Sequence, residues 1–207
     1  MAIPAGDDGF SGAPSGTAQH PTWLSGYSSR PPWHVAGVDY KVGPNSTPTA
    51  DPATMSISGV SVNTTSNVVT VSGNNVTIDG YDFSLDNGYT IICNGNNLTI
   101  TNCLFVMGTN PAFYHVQMNG NTFTCNYNTF DGTSTTGNSS AFISFVGSGN
   151  CIVKYNWFKF FPQHVVEMNQ ALGVSTTLNM QFNLIEDGST VLGSHLNYLQ
   201  WNHGTSV

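Results

Sequence analysis

The chain has 207 residues, the length of one domain or of one domain plus an arm. Four Lys and Arg against eleven Asp and Glu give a net charge of −7, with only 7% of residues charged, whereas Asn, Ser, Thr and Gly together make up 89 residues. So few cations argue against nucleic-acid binding, no apolar run reaches the roughly 18 residues of a membrane span, and 39% hydrophobic residues argue against charge-driven disorder.

The N-terminus, Met1-Ala2-Ile3-Pro4-Ala5-Gly6-Asp7-Asp8, has neither the basic nor the apolar region of a signal peptide, so none is recognisable in this chain. Residues 1–58 hold most of the ten prolines and show no period of 2 or 3.6. Pro31-Pro32 and Pro21 enforce extended backbone. The aromatics Phe10, Trp23, Tyr27, Trp33 and Tyr40 are too many for a free linker. The reading is an extended arm, residues 1–58, pinned to a surface by its aromatic side chains. Trp23, Tyr27, Trp33 and Tyr40 are its candidate assembly residues.

Residues 59–207 form the second region, and from residue 68 the chain repeats. Asn74-Asn75-Val76-Thr77-Ile78 leads to Phe83, Asn96-Asn97-Leu98-Thr99-Ile100 to Phe105, Asn121-Thr122-Phe123-Thr124-Cys125 to Phe130, Gly149-Asn150-Cys151-Ile152-Val153 to Phe158, and Thr176-Thr177-Leu178-Asn179-Met180 to Ile185. The closing apolar residues are 22, 25, 28 and 27 positions apart, a period that signals a solenoid. A further strand is predicted ahead of each window, at 68–71, 89–93, 113–118, 141–146, 164–168 and 195–201. Gly73, Gly95, Gly120 and Gly149 close the first four of these as turns that need an unusual φ. The repeat reads as strand, tight turn, strand and a longer loop, and no segment has a helical period.

Aligning the windows gives two inward columns, Val76–Leu98–Phe123–Cys151–Leu178 and Ile78–Ile100–Cys125–Val153–Met180. The column between them, Thr77, Thr99, Thr124, Ile152 and Asn179, points outward by the period of two. Asn128, Asn156 and Asn183 align as a ladder of side-chain amides at a buried bend. Cys93, Cys103, Cys125 and Cys151 all fall in apolar strand-like runs. They form no CxxC pair, so they are expected to be buried thiols without a zinc site.

Tyr127-Asn128-Thr129-Phe130, Tyr155-Asn156-Trp157-Phe158 and Phe182-Asn183-Leu184-Ile185 resemble coils of the right-handed parallel β-helix, pectate-lyase-like superfamily. The resemblance covers residues 68–207, about two thirds of the chain. It implies an all-β, right-handed parallel β-helix solenoid of about five to six short coils behind an extended N-terminal arm. The superfamily holds polysaccharide lyases and hydrolases, tailspikes, adhesins and structural appendages, and fold alone does not choose among them.

If Met118, Met168 and Trp201 share a core column, then Gln117, Glu167 and Gln200 share an outer one, flanked by His115, Val165 and Tyr198. His115, Gln117, Glu167, Tyr198 and Gln200 are thus the candidate glycan-binding residues. A lyase of this superfamily implies acidic calcium ligands beside a basic residue, yet Arg30, Lys41, Lys154 and Lys159 are the only strong cations. A glycosidase needs two carboxylates roughly 5–10 Å apart. The candidates Asp79, Asp82, Asp131, Glu167, Glu186 and Asp187 form no column in this alignment. Asp79-Gly80, Asp131-Gly132 and Asp187-Gly188 read as turns.

No cofactor and no metal site is expected, and no catalytic residue is assigned. Nothing charged or helical follows the last strand, so Trp201 joins the assembly candidates. The expectation is a non-catalytic structural or binding protein, extracellular or virion-associated, forming a homo-oligomer through the arm and the open end, with polysaccharide as a candidate partner. The alternative is a carbohydrate-active enzyme with its site on the outer face.

Overall fold

The computed structural model describes residues 42–106, 114–133, 141–161, 163–170, 174–188 and 197–203. Chain contacts divide the protein into Met1–Val42 and Gly43–Val207. The second unit is described below. Trp23, Tyr27, Trp33 and Tyr40 lie outside the described residues.

Among the described residues of this unit there are sixteen strands and two short 3-10 segments. The first are β1 Val60–Asn63, β2 Val68–Val71 and β3 Thr77–Asp79. Three-strand coils follow: β4 Thr90–Cys93, β5 Leu98–Thr101 and β6 Leu104–Val106, then β7 Tyr114–Met118, β8 Phe123–Asn126 and β9 Thr129–Asp131. The next coil holds β10 Ala141–Phe145, β11 Gly149–Lys154 and β12 Trp157–Phe161. After it come β13 His164–Gln170, β14 Thr176–Gln181 and β15 Leu184–Gly188, and finally β16 Asn197–His203.

The chain visits three sheets in rotation and returns to each one strand further along. The sheets run β1-β2-β4-β7-β10-β13-β16, β3-β5-β8-β11-β14 and β6-β9-β12-β15. All pairs are parallel except β1 with β2. The protein is therefore all-β, with several parallel sheets in a β-solenoid-like order.

The pairings reproduce the predicted columns. Leu98, Phe123, Cys151 and Leu178 are register partners, as are Ile78, Ile100, Cys125, Val153 and Met180. Phe83, Phe105, Phe130 and Phe158 stack face to face at 4.6, 4.6 and 5.0 Å between centroids. Ile185 follows Phe158 in register. Offset ring pairs of this kind add about 0.5–1.5 kcal/mol each beyond area burial.

Two details differ from expectation. The windows are not single strands: each bends at a left-handed corner formed by Gly80, Asn102, Tyr127, Tyr155 and Phe182, with φ between 51° and 77°. That corner splits each window and creates the third sheet. The second difference concerns the turn glycines. Positive φ falls on Asn75, Asn97, Thr122 and Gly149, while Gly73, Gly95, Gly120 and Gly147 align as the closest approach of neighbouring coils. A Cβ on Gly95 would lie 1.9 Å from the carbonyl oxygen of Gly73, and one on Gly120 would lie 1.8 Å from that of Gly95. Backbone proximity, not φ, requires glycine there.

The asparagine ladder is present as expected. Asn156 Oδ1 accepts from the backbone N–H and the Nδ2 of Asn128, at 2.9 and 3.0 Å. Asn183 Oδ1 accepts in the same way from Asn156, at 2.8 and 3.0 Å. Asn128 Oδ1 in turn accepts from the Cys103 N–H, so Cys103 starts the column. Each Nδ2 also donates to a carbonyl of the preceding coil: Ile100, Cys125 and Val153 respectively.

The segment before β2 closes one end of the core. Gly43 N–H donates to the Tyr155 carbonyl, Asn45 binds Asn102 Oδ1, and Ala50 pairs with Tyr81, which straps this segment to the coils. Pro52–Thr54 forms a 3-10 turn capped by Asp51. Met55, Ile57, Val60 and Val62 then pack against the buried cluster.

Candidate functional site

The outer face of the seven-stranded sheet carries the column expected from sequence. Thr70, Ile92, Gln117, Ser144, Glu167 and Gln200 are successive register partners. Two positions further along their strands, Asn119 Nδ2 donates to Asn94 Oδ1 at 2.9 Å and Gln117 Nε2 to Asn119 Oδ1 at 3.0 Å. At the other end of the sheet Asn202 is the node. It donates to Glu167 Oε1 at 2.7 Å and to Asn169 Oδ1 at 2.8 Å, and it accepts from Gln200 Nε2 at 2.9 Å. The face is a lattice of side-chain amides around one carboxylate, and Glu167 itself is only 7% exposed.

His115 is not on that surface. It is 3% exposed and lies 5.7, 6.0 and 5.3 Å from the ring centroids of Phe105, Phe130 and Phe142. His115 has the strand parity of the outward Gln117, yet its ring is taken up by the phenylalanine stack instead. His115 and Phe142 pack against the phenylalanine stack, and His115, Phe142 and Val165 are all buried. Burial pushes the His115 pKa down to about 3, against an opposing pull from the Asp131 charge. Its Nε2 finds no hydrogen-bond partner among the described residues. His115 is a neutral core group, not a ligand-facing one. Tyr198, at the end of the same column, is 61% exposed, with its ring 5.5 Å from Phe161.

A charged row on the third sheet escapes the sequence reading. Asp131, Lys159 and Glu186 are register partners on β9, β12 and β15. Lys159 Nζ lies 2.9 Å from Asp131 Oδ2 and 4.6 Å from the centroid of Trp157, whose indole N–H donates to Glu186 Oε2 at 2.7 Å. Desolvation alone pushes the Asp131 carboxyl up. Hydrogen bonds from the Thr133 side chain and Lys159 outweigh it and hold the pKa below the usual value. Of the three Asp-Gly pairs expected as turns, two end strands: Asp79-Gly80 closes β3 at a left-handed corner, and Asp131 closes β9 with its Oδ1 accepting from the Thr133 N–H at 2.9 Å, whereas Asp187-Gly188 lies within β15. The signal for the row was available: positions 131, 159 and 186 are 28 and 27 residues apart, the same steps that separate Phe130, Phe158 and Ile185.

The four cysteines are buried free thiols. Burial pushes Cys103 and Cys151 up to about 12, so neither is poised as a nucleophile. Among the described residues no group of three or more His, Cys, Asp and Glu could hold a metal ion. No helix among them is long and apolar enough to cross a membrane. Among the described residues the outer faces offer hydrogen bonding from amides and hydroxyls, the Lys159–Asp131 ion pair and the partly exposed indole of Trp157.

Comparison with protein-family models, with curated proteins and with solved structures finds no match to this chain.

Proposed function

We propose that the protein is a right-handed parallel β-helix of the pectate-lyase-like kind, serving as a non-catalytic, self-assembling structural or binding protein of a virion appendage or cell surface. The observation that carries this reading is where the exposed apolar side chains lie. Of the eight large hydrophobic residues exposed among the described residues, five (Val174, Phe182, Tyr198, Leu199 and Trp201) belong to the last coil, which comprises β14, β15 and β16 with the residues just before β14. Exposed apolar surface gathered in one place marks an interaction site. The amide lattice around Glu167 is the face best suited to an uncharged glycan, since amides satisfy sugar hydroxyls without needing a counter-charge. Light scattering over a concentration series tests assembly: mass above the monomer supports it, and a monomer throughout rejects it.

A second reading, a carbohydrate-active enzyme, is favoured by Asp131 and Glu186 standing on one face. Two strand spacings put them roughly 10 Å apart, just beyond the roughly 6.5–9.5 Å of inverting glycosidases. The hold of Lys159 on Asp131 keeps that carboxyl ionised and unsuited to act as an acid. Screening polysaccharides for new reducing ends or unsaturated products decides it. Activity lost in Glu186→Gln would establish the enzyme, and activity lost only in Glu167→Gln would move the site to the other face.

A further inference from the structure

Among the described residues, strand pairings join each coil only to the coils next to it, so the three sheets do not tie the coil of β2 and β3 directly to that of β10, β11 and β12. A solenoid held together in this way opens from an end, one coil at a time. The segment Gly43–Ala50 adds a connection of another kind. Gly43 N–H donates to the Tyr155 carbonyl at 2.9 Å, at the corner after β11. At the corner after β5, Asn45 donates from its N–H and its Nδ2 to Asn102 Oδ1, at 3.2 and 2.7 Å. Asn102 Nδ2 in turn donates to Asp79 Oδ1 at 2.8 Å. At the corner after β3, Ala50 N–H donates to the Gly80 carbonyl at 3.3 Å, and the Ala50 carbonyl accepts from the Asp82 N–H at 2.9 Å. The corners at the two ends of this segment stand three strand spacings apart, about 14 Å. Gly43 and Pro48 are buried, and a Cβ on Gly43 would lie 2.9 Å from Thr129 Oγ1, so the segment is seated tightly at its β11 end.

We propose that Gly43–Ala50 is an axial clamp that makes the coils from β2 to β12 open as one unit. The coil of β2 and β3 cannot peel from the stack while the clamp holds at both ends. It must either leave Ala50 behind, breaking the two hydrogen bonds at the Gly80 corner, or pull Asn45 and Gly43 away from Asn102 and Tyr155. Peeling therefore costs the bonds of one clamp end in addition to the strand pairing, which removes the advantage of opening one coil at a time. Gly43 and Tyr155 are 112 positions apart in the chain. Their contact forms only once the coil of β10, β11 and β12 is in place, so the clamp is also the last part of this unit to close.

The test is native-state hydrogen exchange of the full chain in sub-denaturing urea, read peptide by peptide. In the intact protein the amides of β2 and β3 are expected to share one opening equilibrium, with one urea dependence, with those of β10 and β11. A protease site placed between Ser46 and Thr47, both exposed, lets the clamp be cut after the chain has folded, with the uncut protein as reference. The cut keeps the residues that bond on either side and removes only the link between them. It is expected to raise the opening of β2 and β3 about 10-fold or more above that of β10 and β11, as release of one end's hydrogen bonds would. Gly43→Val, which cannot seat against Thr129, is expected to separate the two openings in an uncut chain. Ile100→Val, a core change away from the clamp, is expected to raise both by the same factor. Coils that already open separately in the intact protein, or that still open together after the cut, would overturn the clamp.

Discussion

Asn156 Oδ1 receives two hydrogen bonds from Asn128, at 2.9 Å from the backbone N–H and 3.0 Å from Nδ2, while its own Nδ2 gives two more, to the carbonyls of Cys125 and Lys154 at 2.8 and 3.0 Å. One fully buried amide thus satisfies backbone groups in its own coil and in the one before. A polar group that leaves buried partners unsatisfied when removed costs more than the bond itself.

Asn156→Ala is accordingly expected to lose about 3 kcal/mol of stability in urea unfolding. Asn45→Ala, which breaks one exposed contact to Asn102, is expected to lose under about 1 kcal/mol. Equal losses would mean that the ladder contributes nothing beyond ordinary surface hydrogen bonding.

The glycine column gives a contrast between two causes. Gly80 has φ +77° and no atom within 4 Å of where a Cβ would sit, so Gly80→Ala bears only the left-handed penalty of about 1–2 kcal/mol. Gly95→Ala drives a methyl to 1.9 Å from a backbone oxygen and must spread two coils. It is expected to cost more than about 3 kcal/mol or to prevent folding. Melting temperatures of the two variants check the order, and a milder effect at Gly95 would show that the coils are more loosely stacked.

Acid sensitivity follows from two groups acting in different windows. His115 has its folded pKa lowered from 6.5 to about 3, so between those values the unfolded chain binds the extra proton and stability falls as pH drops. The slope approaches about 1.4 kcal/mol per pH unit for this one group. Asp131, whose folded pKa is held below 3.8, adds a further loss only below that value. His115→Phe is expected to flatten the stability profile through the upper window and to leave the lower one in place. Denaturation midpoints measured down the acid limb test this. An unchanged slope in the variant would mean that the imidazole is not the titrating group.

The thiols offer a check on the interior. All four are buried, and Cys103 and Cys151 sit with pKa near 12. A thiol-specific disulfide reagent is expected to find no reactive cysteine in the native protein and four after unfolding. Fast reaction of any one without denaturant would indicate that its coil opens locally.

Much of this architecture is legible in the sequence because a coil stack writes each buried column as a recurring position. The repeat of Phe83, Phe105, Phe130 and Phe158, the Asn128–Asn156–Asn183 ladder and the outer column of Gln117, Glu167 and Gln200 all follow from that recurrence. What is not legible depends on where strands bend. Tyr127, Tyr155 and Phe182 give no compositional sign that they adopt left-handed backbone, since aromatic residues rarely do. Without that corner the third sheet is hidden, and with it the Asp131–Lys159–Glu186 row. His115 departs from its expected face because its ring packs against Phe105, Phe130 and Phe142, a contact that period-two alternation does not register.

The claim on which the functional reading turns is that the last coil is where copies of this chain meet. Hydrogen–deuterium exchange at low and high protein concentration measures it residue by residue. The result expected is added protection at high concentration in residues 174–203, with Val60–Asn63 and the rest of the coils unchanged. Exchange that is independent of concentration everywhere, or protection confined to Val60–Asn63, would contradict it.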